Sequence, residues 1–132
     1  MDEKKRIVDK IIHYVESNLS APERLSLEEI ARYAGYSKFH VNRMFSEVTG
    51  CTIHRYMKER RLSEAARKLV LEEDSIAKIA QDASYLSQQA FTLAFKNVYG
   101  CTPMTYRKAR IYKEIRNKEV VLNHLGSWRC AA

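Results

Sequence analysis

Apolar residues recur at helical spacing along two long stretches of this chain. The stretches run from about residue 4 to 19 and from about residue 52 to 71. The apolar positions are Ile7, Val8, Ile11, Ile12, Val15 and Leu19 in the first, and Ile53, Tyr56, Met57, Leu62, Ala65, Ala66 and Leu69 in the second. Steps of three and four residues predict an amphipathic helix with one buried face in the first stretch, and the helical spacing of the apolar positions predicts a helix in the second. At 1.5 Å per residue, the second helix would span roughly 25–30 Å.

The chain contains an internal repeat. The segment beginning at Ser26, SLEEIARYAGYSKFHVNRMFSEVTGCTIHRYMKER, is similar to SIAKIAQDASYLSQQAFTLAFKNVYGCTPMTYRKAR beginning at Ser75, once Leu86 is taken as one extra residue in the second copy. Matching positions then hold identical residues: Ile30 and Ile79, Ala34 and Ala83, Tyr36 and Tyr85, Ser37 and Ser87, Phe45 and Phe95, Val48 and Val98, Gly50-Cys51-Thr52 and Gly100-Cys101-Thr102, and Tyr56 and Tyr106. A solenoid needs at least three repeats, so two copies indicate a duplicated unit.

Each copy has the start and stop signals of two short helices joined by a tight turn. In copy one, Ser26 and Glu29 form a capping box, and the helix it begins would end near Gly35, which tolerates positive φ. Ser37 would cap a second helix and Gly50 would end it. Copy two repeats the pattern, with the cap of its second helix at Ser87, the stop at Gly100, and a further helix beginning at Thr102-Pro103. This arrangement is typical of a helix-turn-helix unit.

The second helix of each copy has an apolar stripe and an opposite stripe with a different character. The apolar stripes are Val41, Met44, Phe45 and Val48 in copy one, and Phe91, Ala94, Phe95 and Val98 in copy two. The stripe opposite the apolar one is called the first face in copy one and the second face in copy two. The first face holds Lys38, Phe39, Asn42, Arg43 and Ser46, and the second face holds Gln88, Gln89, Thr92, Leu93 and Lys96. Arg reads guanine, Asn and Gln read adenine, and an apolar side chain can meet a thymine methyl group. Both faces therefore predict DNA recognition.

Composition and charge agree with a helical, nucleic-acid-binding protein. The 132 residues include only 4 Gly and 2 Pro, and the net charge is +7. Residues 1–74 hold 14 basic and 13 acidic side chains, whereas residues 75–132 hold 9 basic and 3 acidic ones. A basic surface suits a polyanion. No apolar run is long enough for a membrane span, and the charged start is unlike a signal peptide, so we expect a cytoplasmic protein with no membrane partner.

The residues show no pattern of a metal centre or an active site. Cys51, Cys101 and Cys130 lack paired spacing, so we expect no metal, no cofactor and no disulfide, with buried thiols at Cys51 and Cys101. The four histidines do not share ligand spacing, and we expect His40 to be partly buried rather than a phosphate contact. No nucleophile–base set or phosphate-binding glycine loop is present. We therefore expect that the protein is not an enzyme.

Two motifs resemble those of the AraC/XylS family of bacterial transcription regulators. GYSKFHVNRMFSEVTG (35–50) is similar to the family's GYS-[aromatic]-x-x-x-R-x-F segment. SQQAFTLAFKNVYGCTPMTYR (87–107) is similar to its SQ-x-x-F-x-x-x-FK-x-x-x-G-x-TP-x-x-YR signature. The resemblance covers about residues 5–108 and is strongest to small stand-alone members.

The resemblance implies an all-α fold of seven helices, in two helix-turn-helix subdomains joined by a long central helix. The subdomains would be residues 1–51 and 72–108, with the connecting helix at 52–71 and a basic tail at 109–132. By the family's pattern, Phe39, Asn42 and Arg43 would read bases in one major-groove segment, and Gln88, Gln89 and Thr92 in the next. Lys38 and Lys96 would lie near phosphates.

We expect a transcription regulator that binds double-stranded DNA as a monomer. The resemblance implies that it is an activator, with RNA polymerase as a further partner. One alternative is the DNA-binding half of a larger regulator whose ligand-binding domain lies beyond residue 132. Another is a helical protein-interaction module that has lost DNA binding. A natural stop codon after Ala132 would favour the stand-alone protein over the larger regulator. A salt-dependent shift on random duplex DNA would argue against the interaction module.

Three positions depart from the family's pattern. Ser84 stands where glycine is usual in the second turn, at a cost of up to ~1 kcal/mol if the turn needs positive φ. Leu93 stands where arginine is common, which puts base reading at that position in question, and Phe39 replaces the commoner tryptophan. The tail at 109–132 could continue as a strand over 119–125, an extra helix, a disordered basic segment or the start of another domain.

Overall fold

The computed structural model describes residues 2–109, which form seven α-helices and one short 3₁₀ turn, with no strand in that range. The helices are α1 (Glu3–Ser17), α2 (Leu27–Ala34), α3 (Lys38–Thr49), α4 (Ile53–Leu71), α5 (Ile76–Asp82), α6 (Gln88–Tyr99) and α7 (Pro103–Ala109), and the 3₁₀ turn is Pro22–Arg24. The all-α, seven-helix expectation is confirmed. The possible strand at 119–125 and Cys130 lie outside the described residues.

The two long helices lie where the apolar periodicity predicted them. α1 begins after Asp2, whose carboxylate accepts a hydrogen bond from the Lys5 amide, and it ends at Ser17, so Leu19 lies beyond the helix but packs against its core. Every apolar position predicted for α4 is buried. α1 was placed by one continuous apolar stripe, whereas the apolar positions of α4 form two stripes at helical spacing. Ile53, Tyr56 and Met57 near its start lie in one core, and Leu62, Ala65, Ala66 and Leu69 further along lie in another.

The described residues divide into two compact units, each with its own core. Residues 2–59 form the first unit and residues 60–109 the second, so the division falls within α4 between Glu59 and Arg60. In the first unit α1, α2, α3 and the start of α4 surround a core whose largest fully buried side chains are Phe45 and Tyr56. In the second unit the end of α4 packs with α5, α6 and α7 around Phe91 and Phe95. The predicted domain boundaries stay a prediction.

Local capping explains where most of the short helices begin and end. The hydroxyls of Ser26, Ser37 and Ser87 each accept a hydrogen bond from the amide three residues later, and all three cap residues have extended backbone. The predicted capping box is only half formed, because the Glu29 carboxylate pairs with Arg32 instead of reaching back to the Ser26 amide. Gly50 and Gly100 end α3 and α6 in the left-handed conformation, as predicted.

The turns of the two copies have the same left-handed backbone at one position but a different residue there. Gly35 has a φ of 83°, and Ser84, which occupies the matching place in copy two, has a φ of 71°. In both turns the following tyrosine amide, of Tyr36 or Tyr85, donates to a carbonyl five residues earlier. The second turn therefore needs positive φ, and a side-chain-bearing residue adopts it at an energetic cost.

Arg107 links α7 to the end of α4 within the second unit. Its Nε donates to the Leu69 carbonyl at 2.9 Å, and its Nη2 donates to the carbonyls of Asp74 at 2.7 Å and Glu72 at 3.3 Å. Carbonyls at the end of a helix lack helical partners, so a guanidinium satisfies them and complements the helix dipole. The arginine of the second motif therefore has a structural role in this chain.

Cys51 and Cys101 lie within the described residues 2–109. Cys51 is buried as expected, but Cys101 is only partly buried, because it lies at the edge of the second core. No group of three or more metal-ligating side chains occurs in this part of the chain. None of its helices has the length and apolar content needed to cross a bilayer.

Candidate nucleic-acid interface

The first face is presented outward because the opposite stripe of α3 is buried. Val41, Met44, Phe45 and Val48 all lie in the core of the first unit, as predicted. The helix is fixed at its start by Ser37, whose hydroxyl accepts from the His40 amide at 3.2 Å. An α-helix buried along one stripe has to expose the stripe on its other side. The position of the first face therefore follows directly from core packing.

All five predicted residues of the first face lie around one shallow surface depression, together with Leu27. The Phe39 ring is 76% exposed, which is unusual for a large aromatic side chain and shows that it does not pack into the core. Lys38 and Arg43 are exposed, while Asn42 and Ser46 are partly buried at the margin of the face. The face combines an aromatic ring with donors of the kind that read base edges.

Acidic side chains pair with the cations of the first face. Lys38 Nζ lies 3.2 Å from Glu28, and Arg43 Nε lies 3.1 Å from Glu47, whose other oxygen accepts from Lys4 Nζ at 2.7 Å. The hydrogen bond from Lys4, followed by that from Arg43, lowers the pKa of the Glu47 carboxyl below its ordinary value. Both carboxylates are exposed, so each pair contributes little to stability. What the pairs do is orient the Lys38 and Arg43 side chains on the first face.

Asn42 also has a structural contact. Its Oδ1 accepts a hydrogen bond from the Ile53 amide at 3.2 Å, at the first position of α4. The first amides of a helix have no helical partner, so Asn42 supplies one from α3. Its two Nδ2 hydrogens are not used in that bond and remain the donors available to an adenine N7.

His40 differs from expectation because it is exposed rather than partly buried. Its ring lies edge-on to the Tyr36 ring with centroids 5.3 Å apart. Tyr36 precedes the Ser37 cap and packs against the core of the first unit. The expectation was wrong because helical phase near the start of α3 places His40 beside the first face.

The second face is positioned in the same way by α6. Phe91 and Phe95 are fully buried, although Ala94 and Val98 of the predicted apolar stripe are only partly buried. The five predicted residues, Gln88, Gln89, Thr92, Leu93 and Lys96, together line one surface depression. Leu93 is 63% exposed, so it does not pack into the core of its unit. Within residues 2–109 no carboxylate pairs with Lys96, in contrast to the cations of the first face.

Two residues beside the faces were not identified from the sequence. Leu86, the extra residue of copy two, is fully exposed beside the Ser87 cap. Its neighbour Tyr85 packs against the core instead, with its ring centroid 5.5 Å from that of Phe91. The insertion in the repeat was the signal that could have identified it. Glu47 was overlooked among the scattered glutamates, although its place one turn after Arg43 indicated a pair.

Two unlike faces on two helix-turn-helix units define the class: a tandem helix-turn-helix protein. Residues 30–109 match the helix-turn-helix domain family. The chain is 36% identical over 120 residues to the multiple antibiotic resistance protein MarA of Escherichia coli, which covers 91% of this chain and 92% of MarA. The protein therefore belongs to the AraC-type helix-turn-helix family.

Solved structures agree with this membership. The C-terminal domain of AraT, a response regulator from Geobacillus stearothermophilus, has a TM-score of 0.72 at 29% identity and covers 84% of this chain and 91% of that domain. The DNA-binding domain of the global transcriptional factor AdpA, solved in complex with a target DNA, has a TM-score of 0.64 at 25% identity, with 75% of this chain and 90% of that one covered.

Proposed function

We propose that this protein is a sequence-specific DNA-binding regulator of transcription that reads two major-groove segments with α3 and α6. The observation that carries the proposal is the outward presentation of a base-reading face on each of the two helix-turn-helix units. The second helix of such a unit enters the major groove. The structural similarity to the AdpA domain, which was solved with its target DNA, supports the same use of this fold here.

The side chains of the two faces suit different contacts. Arg43 would donate to guanine, Asn42, Gln88 and Gln89 would pair with adenine, and Thr92 and Ser46 would contact either base type. The exposed Phe39 and Leu93 side chains would meet thymine methyl groups. Lys38 and Lys96 would contact phosphates, which fix the position of the protein without reading sequence.

We also propose that one molecule occupies an asymmetric site. Dimeric helix-turn-helix proteins obtain two recognition helices by symmetry and bind palindromes, whereas this chain carries two faces of different composition. One molecule would then read two unlike boxes about one helical turn apart. Inserting about five base pairs between them should abolish most specific affinity, because half a turn places the boxes on opposite sides of the duplex. Two molecules bound to a palindrome would contradict this proposal.

The regulatory role is proposed by similarity. MarA is matched over 92% of its own length. We propose that this protein is a transcription activator that works together with RNA polymerase, in the cytoplasm beside the nucleoid. That match does not favour the alternative of a ligand-binding domain beyond residue 132. The absence of enzymatic activity, of a cofactor and of a membrane partner stays a prediction.

Selection of bound sequences from a random duplex pool tests the proposal. The selected site then allows a matched comparison of Arg43→Ala with Lys96→Ala. Loss of a base contact by Arg43→Ala should weaken specific binding by ~1–3 kcal/mol and relax preference at one base pair. Lys96→Ala should weaken binding to all sequences and reduce the salt dependence. If the pool yields no preferred sequence, or if both variants weaken all sequences equally, the proposed base readout is wrong.

A further inference from the structure

Three charged side chains form a chain of contacts beside the first face. Glu47 on α3 uses one carboxylate oxygen for Arg43 Nε, at 3.1 Å, and the other for Lys4 Nζ of α1, at 2.7 Å. All three belong to the first unit, and each carboxylate oxygen serves a different cation. Arg43 is the residue of this face that suits guanine. The Glu47 carboxylate, which also binds Lys4, therefore affects how the Arg43 guanidinium is oriented for a base.

The helix itself does not explain the presence of Glu47. The residue lies in the last turn of α3, which ends at Thr49, and a negative charge is unfavourable next to the exposed carbonyls of a helix end. An acidic residue placed four positions after a basic one is also the less stabilising order of such a pair. Glu47 therefore adds little to helix stability, and the effect of a glutamate at this position is its contact with Arg43 and Lys4.

The internal repeat supplies an independent observation. The position of copy two that matches Arg43 is Leu93, and the one that matches Glu47 is Asn97. The carboxylate is thus present in the copy that has the arginine and absent from the copy that has leucine. This pairing is what a role of Glu47 toward Arg43 requires.

The atoms used in the contact leave the arginine ready for a base. Guanine O6 and N7 accept two hydrogen bonds from one guanidinium, and the contact with Glu47 uses only Nε. We propose that Glu47 is a positioning residue for base recognition, which holds the Arg43 guanidinium by Nε so that both Nη groups are directed to a guanine. This inference rests on the proposed function. Fixing the side chain before binding removes rotamer freedom that the free arginine would lose on the DNA.

Lys4 makes a carboxylate compatible with a DNA-facing surface. An unpaired carboxylate beside the groove would repel phosphates, and it would also draw the arginine away from a base. Because Lys4 binds the second oxygen, the group of three side chains keeps a net positive charge while Glu47 retains its contact with Arg43. Lys4 thereby places α1 in the recognition apparatus of the first unit.

The test measures base discrimination on the duplex that the wild-type protein selects from a random pool. Affinities for that duplex, and for duplexes with each substitution at the base pair read by Arg43, are compared for Glu47→Ala, Glu47→Gln, Arg43→Ala and the double variant. Glu28→Ala is the matched control, since it removes an exposed carboxylate beside the same face that pairs with Lys38 instead. Thermal unfolding confirms that each variant is folded.

Glu47→Ala should lower discrimination at that base pair about three- to tenfold, the worth of one hydrogen bond, and Glu47→Gln should retain most of it because its amide oxygen still accepts from Nε. In the Arg43→Ala background, Glu47→Ala should have no further effect on discrimination. Glu28→Ala should change affinity for all sequences without changing discrimination. Unchanged discrimination in Glu47→Ala, a Glu47→Gln variant no better than Glu47→Ala, or an equal effect of Glu47→Ala without Arg43, would overturn the inference.

The outcomes separate this inference from the proposed function. If the wild-type protein selects no sequence, the proposed function fails and the positioning role fails with it. If it selects a site and Arg43→Ala loses discrimination while Glu47→Ala does not, only the role of Glu47 is refuted.

Discussion

Replacing Ser84 with glycine should stabilise the protein, because Ser84 adopts a conformation that glycine adopts without strain. Its φ is 71°, and the matching residue of the first copy is Gly35, with a φ of 83°. The left-handed region costs a residue with a side chain about 1–2 kcal/mol. Glycine also increases the entropy of the unfolded chain, which offsets about 0.4–1 kcal/mol of that gain. The net expectation is a gain of about 0.5–1 kcal/mol in the free energy of unfolding.

The reciprocal substitution gives a matched control. A Cβ added at Gly35 meets no atom within 4 Å, so Gly35→Ser should lose about 0.5–1 kcal/mol through backbone strain alone. Ser84→Ala keeps the strained backbone and removes only an exposed hydroxyl, so it should not gain stability.

Urea unfolding with linear extrapolation measures these changes. Residues 2–109 form two cores, and each contains phenylalanine and tyrosine rings. Far-UV and near-UV circular dichroism should therefore be followed together, to detect two transitions if the units unfold separately. Ser84→Gly should then shift the transition of the second unit and Gly35→Ser that of the first. Equal stability of Ser84→Gly and Ser84→Ala would show that the turn stores no strain at this residue.

Two further substitutions test contacts between helices. Arg107→Ala should lower the free energy of unfolding by about 2–3 kcal/mol in urea denaturation, since it removes a charged donor from three carbonyls. Arg107→Lys should recover less than half of this loss, because lysine lacks the planar guanidinium that reaches several carbonyls at once. A loss below about 0.5 kcal/mol in Arg107→Ala would contradict this role. Asn42→Ala should cost about 0.5–1.5 kcal/mol by removing the acceptor of the Ile53 amide, whereas Asn42→Asp should keep it, and equal stability of the two variants would refute the contact.

Local signals in the sequence were enough to locate the helices. Ser37 and Gly50 mark the start and end of α3 because a hydroxyl cap and a left-handed residue act within a few positions of the chain. The apolar stripe through Val41 and Phe45 then fixed which side of α3 is buried and, by elimination, which side is exposed. The composition of both faces could be predicted for the same reason.

Contacts between elements could not be predicted from local patterns. Lys4 meets Glu47 across 43 positions of sequence, and Arg107 meets the Leu69 carbonyl across 38. Both pairings depend on how separate helices pack, and any of the many exposed acids and bases could have been the partner. Only the tertiary structure showed that Asn42 binds an amide of α4, because that amide is brought to α3 by packing around a shared core.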